Sequence, residues 1–156
     1  MEKNKERKVF TFNRAASHNF FLFDKYEAGI ELRGTEVKSI REGRANLKDS
    51  YAQVKNSEVW LLNCHISPYS HGNLQNHDPL RPRKLLLHRN EIRRLIGKTV
   101  ERGFTLIPLQ LYLKHGHIKC EVALAKGKQT HDKRESIRKK ESDREARAAM
   151  QRGRKA

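Results

Sequence analysis

The chain has 156 residues, with 34 Lys or Arg against 18 Asp or Glu, a formal charge of +16 and a pI of about 10.2. That length suits one domain with an appendage and is too short for two ordinary domains, and so basic a balance points to a polyanionic partner, nucleic acid first. No run of 18 apolar residues and no apolar leader core is present, which argues against a membrane span or secretory signal and makes the cytoplasm the expected compartment.

Residues 1–14 form a charged arm ending in Val9-Phe10-Thr11-Phe12, an apolar run suited to pinning the arm to a folded body. From there Phe20, Leu22, Tyr26, Ala28, Ile30 and Leu32 recur at period two, opposite Lys25, Glu27, Glu31 and Arg33. This is the pattern of one long strand, with Gly29 the expected bend or bulge. The period then changes. Thr35 is suited to cap a short helix, Glu36 to sit near its positive end, Val37 and Ile40 to face inward and Gly43 to end it. Lys38, Arg41 and Arg44 are left pointing outward.

Residues 45–66 read as an antiparallel run turning at Asn56-Ser57, with Trp60, Leu62, Cys64 and Ile66 inward and Val59, Asn63 and His65 outward. Residues 67–82, with Pro68, Gly72, Pro79 and Pro82, form a loop long enough to be functional or mobile. Residues 84–87 return as a strand, and a helix starting at His88 or Asn90 puts Ile92, Leu95 and Ile96 on one side before Gly97. The last pair is a hairpin: Thr105, Ile107, Leu109, Leu111 and Leu113 lead to His115-Gly116, and Ile118, Cys120, Val122 and Leu124 return. Pro108 marks its strand as an edge or a bulge. The expected fold over residues 15–125 is mainly β: a small OB-like Greek-key barrel of about six antiparallel strands with two or three short helices. A two-layer α+β sandwich is the alternative.

Residues 126–156 carry twelve Lys or Arg against five acids, and Ile137 and Met150 are their only sizeable apolar side chains. Too little apolar surface is available to offset ordering costs of about 1 to 2 kcal/mol per residue, so this tail is expected to be disordered alone. From Arg134 to Gln151 it nevertheless lacks Gly and Pro, and Glu135/Lys139 and Asp143/Arg147 pair at i,i+4, so a polyanion could draw it into a helix.

Eight histidines invite an enzyme reading, but CxxC, HxxxH, HExxH, GxSxG and phosphate-binding glycine loops are all missing. Catalytic residues, metal and cofactors are therefore expected to be none. Cys64 and Cys120 suit buried thiols in a reducing compartment. A nuclease built from paired His or carboxylates has no local signature and stays open. So does a general ribosomal or single-strand RNA-binding module, although such a module needs exposed aromatics and the pattern here sends most of them inward.

Gly34-Thr35-Glu36-Val37-Lys38-Ser39-Ile40-Arg41 is followed by Ala45-Asn46-Leu47-Lys48-Asp49-Ser50-Tyr51, Arg83-Lys84-Leu85-Leu86-Leu87, Val122-Ala123-Leu124-Ala125-Lys126-Gly127-Lys128 and His131-Asp132-Lys133-Arg134. In content and order these blocks resemble the SsrA-binding protein (SmpB) family. The resemblance implies an OB-like barrel that binds the tRNA-like domain of tmRNA, and a rescue role on stalled ribosomes. The tail is then implied to fold as a helix in the empty mRNA channel beside the decoding site. Elongation factor Tu and alanyl-tRNA synthetase are implied as partners through the same RNA. RNA contact is implied for Glu27, Lys38, Arg41, Arg44, Lys126, Lys128, Lys133 and Arg134. The ribosome-binding tail is implied to use Asp132, Ile137, Arg138, Lys139, Lys140, Arg144, Arg147 and Met150. A monomer is expected.

Overall fold

The structure, a computed structural model, describes residues 8–71, 76–128 and 130–153. Its elements are β1 (Lys8–Phe12), α1 (Ala16–Asn19), β2 (Phe20–Ile30), α2 (Gly34–Arg41), β3 (Ala45–Asn46), β4 (Tyr51–Lys55) and β5 (Glu58–Leu62). They continue with β6 (His65–Ile66), β7 (Arg83–Leu86), α3 (Arg89–Glu101), β8 (Thr105–Lys114), β9 (His117–Gly127) and α4 (Thr130–Gly153). Strands follow the order β1-β8-β4-β5-β7-β2-β9, and β9 pairs again with β8, so β8, β4, β5, β7, β2 and β9 close an antiparallel ring. The fold is thus mainly β, and closure removes the sheet edges that an open antiparallel sheet would expose. β1, the end of the charged arm, pairs with the second half of β8, and Phe10 packs against the core.

The core fills the ring with side chains such as Ala28, Val59, Leu61, Leu85, Leu106 and Val122, and α2 and α3 add Ile40 and Leu95. A second cluster lies on the other face of the β2–β9–β8 sheet, where α1 sets Ala16 against Ile107, Leu109, Ala123 and Ala125, with Phe20 and Leu22 beside them. The alternation read from sequence is split between these two clusters. In β2 the register slips between Leu22 and Lys25, so Phe20 and Leu22 serve the second cluster while Tyr26 and Ala28 serve the first. In β8 it slips between Pro108 and Gln110, as Pro108 foretold, and Leu109 and Leu111 fall on different faces. One extra residue in a strand inverts every side chain after it.

Several expectations are corrected. The β2 bulge is not at Gly29; Gly29 instead permits a close strand approach, since a Cβ there would stand 3.2 Å from Leu86 Cβ. In β5 it is Val59 and Leu61 that are fully buried, whereas Trp60, opposite Gln53 and Lys84, faces out of the ring. Asn63 takes φ 60°, which resets the parity so that Cys64 and Ile66 are again buried. α3 runs through Gly97 to Glu101, and the stop comes with Gly103 at φ 69° after Arg102. Thr35 lies inside α2, whose N-cap is Arg33; Gly43, at φ 74°, follows its end as expected. α1 was not anticipated at all.

α4 spans 24 residues, and it packs against α1 of the body. Ile137 and Met150 are exposed, so the tail helix buries neither of its two sizeable apolar side chains. Among the described residues no helix is long and apolar enough to cross a membrane.

Candidate nucleic-acid interface

α2 is held from beneath by a buried ion cluster. Glu36 and Arg83 are both fully buried, and the Glu36 carboxylate accepts from Arg83 Nε, from the Arg81 guanidinium and from the Arg33 N–H at 2.8 Å. Arg83 also donates to the Cys64 carbonyl at 2.6 Å and the Pro79 carbonyl at 3.1 Å. Burial pushes the Glu36 carboxyl up, but Arg81, the Arg33 N–H and Arg83 more than reverse this and hold it below the ordinary carboxylate value. A buried charge pair survives when its remaining donors and acceptors are filled, and here they largely are.

Further hydrogen bonds tie the described parts of the segment between β6 and β7 to α2. His77, 3% exposed, donates Nε2–H to the Ile66 carbonyl at 2.9 Å and accepts the Thr35 hydroxyl on Nδ1 at 2.8 Å. Ser39 Oγ donates to the Ser67 carbonyl at 2.7 Å, and the Ser67 N–H donates to the Arg44 carbonyl at 3.0 Å. With its inner face spent on these contacts, α2 presents Lys38 and Arg41 to solvent, and Arg44 follows them. Lys38 Nζ stands 5.3 Å from the centre of the Tyr69 ring. The Arg44 side chain pairs with the exposed Glu42 at 3.6 Å, which contributes little.

Glu27 lies on β2 across from Glu121, where it accepts from the Tyr112 hydroxyl at 2.5 Å and from Lys114 at 3.1 Å. Lys126 and Lys128 lie at the opposite end of β9 from the β8–β9 turn. Arg41 lines a groove with His117 and Lys119 at the turn end, and Lys126 is seven residues further along the strand, about 23 Å of extended chain. Sequence treated these cations as one set, but the structure divides them between two ends of the barrel.

The far end has its own support. Lys126 Nζ stands 4.5 Å from the centre of the Phe104 ring, which meets Phe23 edge-on at 5.0 Å. Lys128 lies 5.1 Å from the Phe21 ring, donates Nζ–H to the Ser17 carbonyl at 3.1 Å, and its backbone N–H reaches the Asn19 carbonyl at 2.9 Å. It therefore fixes α1 as well as carrying charge. Arg134 near the start of α4, and Arg138, Lys139, Lys140, Arg144 and Arg147 along it, are exposed. The side chains of Asp132 and Lys133 lie outside the described residues.

The inward sorting of aromatics holds in part: Phe10, Phe20, Tyr26 and Phe104 pack against the two core clusters and Tyr112 is fully buried, but Phe12, Phe21, Phe23 and Tyr51 are exposed. Exposed rings beside lysines suit nucleobases as well as cations. Among the described residues no group of three His, Cys, Asp or Glu could hold a metal. Both thiols are free and buried, Cys64 pushed up to about 11 by desolvation and Cys120 further still.

Sequence reasoning missed the Glu36–Arg83 pair, although a signal existed. Glu36 precedes the inward Ile40 by one helical turn, and Arg83 shares the parity of inward Leu85. Two opposite charges at positions that should be apolar suggest a buried pair.

The family described as SmpB protein matches residues 10–152. The SsrA-binding protein of Halothermothrix orenii is 60% identical over 143 residues, covering 92% of each chain. That of Koribacter versatilis is 59% identical over 92% of this chain and 82% of its own, and that of Clostridium botulinum 57% over 93% of each. A solved chain described as "tmRNA-SmpB: a journey to the center of the bacterial ribosome" superposes with a TM-score of 0.66 at 44% identity, covering 82% of this chain and 94% of its own. With a match that begins in β1, takes in the whole barrel and ends in α4, this chain belongs to the SmpB family.

Proposed function

We propose that this chain binds the tRNA-like domain of tmRNA and brings it to stalled ribosomes for rescue by trans-translation, as a binding protein and not an enzyme. The observation that carries the reading is the family match over residues 10–152, from the first strand to the tail.

In this reading Lys38, Arg41 and Arg44 at one end of the barrel, and Lys126, Lys128, Lys133 and Arg134 at the other, neutralise phosphates of a folded RNA recognised by shape. Glu27 cannot approach a phosphate without repulsion. Its role is to accept a hydrogen bond from a ribose hydroxyl or a base N–H, its carboxylate pre-oriented by Tyr112 and Lys114. Residues 15–125 serve as the RNA-binding body, residues 1–14 as the arm, and residues 126–156 as the ribosome-binding tail. There Asp132 orients the base, and Ile137, Arg138, Lys139, Lys140, Arg144, Arg147 and Met150 line the vacant message channel beside the decoding site. The protein acts as a cytoplasmic monomer, and meets elongation factor Tu and alanyl-tRNA synthetase through the shared RNA.

Exposed Phe21, Phe23 and Tyr51 favour one second reading, a general single-strand RNA-binding module. Sequencing the RNA that co-purifies with the tagged chain from a bacterial extract separates the two. Strong enrichment of tmRNA is expected, and a broad unenriched RNA population would select the second reading.

A further inference from the structure

The segment between β6 and β7 places two rings, Tyr69 and His71, beside Lys38 of α2. Asn76 accepts the Tyr69 N–H on Oδ1 at 3.0 Å and donates Nδ2–H to the Tyr69 carbonyl at 2.7 Å. One side chain thus fills both backbone groups of a single residue, a job that strand pairing does elsewhere. His77, Ser39 and Ser67 lock the two ends of the loop to α2, so Tyr69 is carried on a fixed mount. Beyond it, exposed His71 meets the partly exposed Tyr69 ring at 5.4 Å between centroids and 74° between planes. Lys38 stands 5.3 Å from the Tyr69 ring, with Arg41 and Arg44 on and just after the same helix.

We propose that Tyr69 and His71 form a stacking site for an unpaired nucleotide base, with Lys38 beside it to meet that nucleotide's phosphate. This rests on the reading of the chain as an RNA-binding protein. The chemistry is that of single-strand platforms: ring faces receive a base of any identity, and a neighbouring cation receives the backbone. The placement also explains why Lys38 sits over a ring. A preformed lysine–tyrosine contact aims the ammonium without an ion pair that RNA would have to break.

The test uses the full chain and a transcript of the tmRNA tRNA-like domain carrying 2-aminopurine at one unpaired position at a time. Tyr69→Ala and His71→Ala are expected to keep the wild-type unfolding temperature and to weaken binding by about 5- to 150-fold. The slope of log K against log salt should stay unchanged, because no phosphate contact is lost, whereas Lys38→Ala should flatten it. Tyr69→Phe and His71→Phe, which keep the rings, should bind like the wild type. At one unpaired position 2-aminopurine fluorescence should be quenched by the wild type and not by His71→Ala. Wild-type affinity in both alanine variants, or equal loss in the phenylalanine variants, would overturn the stacking site. Failure of the wild type itself to bind the transcript would instead sink the underlying function.

Discussion

Arg83 is the largest fully buried side chain among the described residues, and its charge is met by a Glu36 that is just as buried. Removing one partner leaves the other unpaired in the interior, so Glu36→Gln should cost about 3 to 5 kcal/mol in denaturant unfolding. The pair also sets an acid limit. A carboxyl held below its unfolded value stabilises the fold fully above that unfolded value, and the contribution is lost as pH falls through the lower folded one. Wild-type stability should therefore drop below about pH 4 more steeply than that of Glu36→Gln. Trp60 and Leu61 offer a second comparison at this scale. Leu61→Ala opens a cavity in the ring and should cost about 2 to 5 kcal/mol, while Trp60→Ala, on the outer face, should cost less. Equal losses in thermal unfolding would place Trp60 in the core after all.

Among the elements, α2 and α4 contrast most. α2 is eight residues long and would not persist in water alone, yet Glu36, Ser39 and Ile40 bury its inner side completely. α4 is three times as long and exposes Ile137 and Met150. Its helicity must be sustained by weak i,i+4 pairs or by a partner. Pro in such a helix costs about 3 kcal/mol and leaves the charge untouched. Ile137→Pro should thus abolish tagging of stalled nascent chains in a reconstituted rescue assay while barrel melting stays unchanged. A scrambled tail of equal charge is the control: tagging at the native level with that tail would show that charge alone suffices.

For the whole molecule, a barrel closed without α4 should fold without it. A chain ending at Thr130 is expected to melt close to the full-length protein and to bind tmRNA somewhat more weakly, and it should fail in the rescue assay. Loss of folding in that truncation would contradict the closed ring. The separation of the two cation groups has its own consequence. Lys38→Ala and Lys128→Ala lie far enough apart for their effects to add. Together they should flatten the log K against log salt slope by roughly 1 to 2 units, each alone by about half of that. An unchanged slope in a folded double variant would remove both lysines from the RNA contact.

Local patterns were enough to read much of this protein. Strands showed themselves by period two, and the turns at Asn56-Ser57 and His115-Gly116 by residues that tolerate the positive φ found at all four positions. Pro108 announced its bulge, composition announced the basic tail, and five motif blocks in order announced the family. Which face a strand buries was legible only within an uninterrupted stretch. An unseen bulge near Phe23 and the left-handed Asn63 each shift parity by one, which is why Phe20 and Leu22 were joined to the wrong cluster and Trp60 was sent inward. For partners far apart in the chain, a misplaced charge was legible at each position, but the pairing was not. Glu36 meets Arg83 across 47 residues, and nothing in either neighbourhood names the other. The division of the lysines between two ends of the barrel is likewise a property of ring closure, which assigns positions in space that spacing along the chain cannot express.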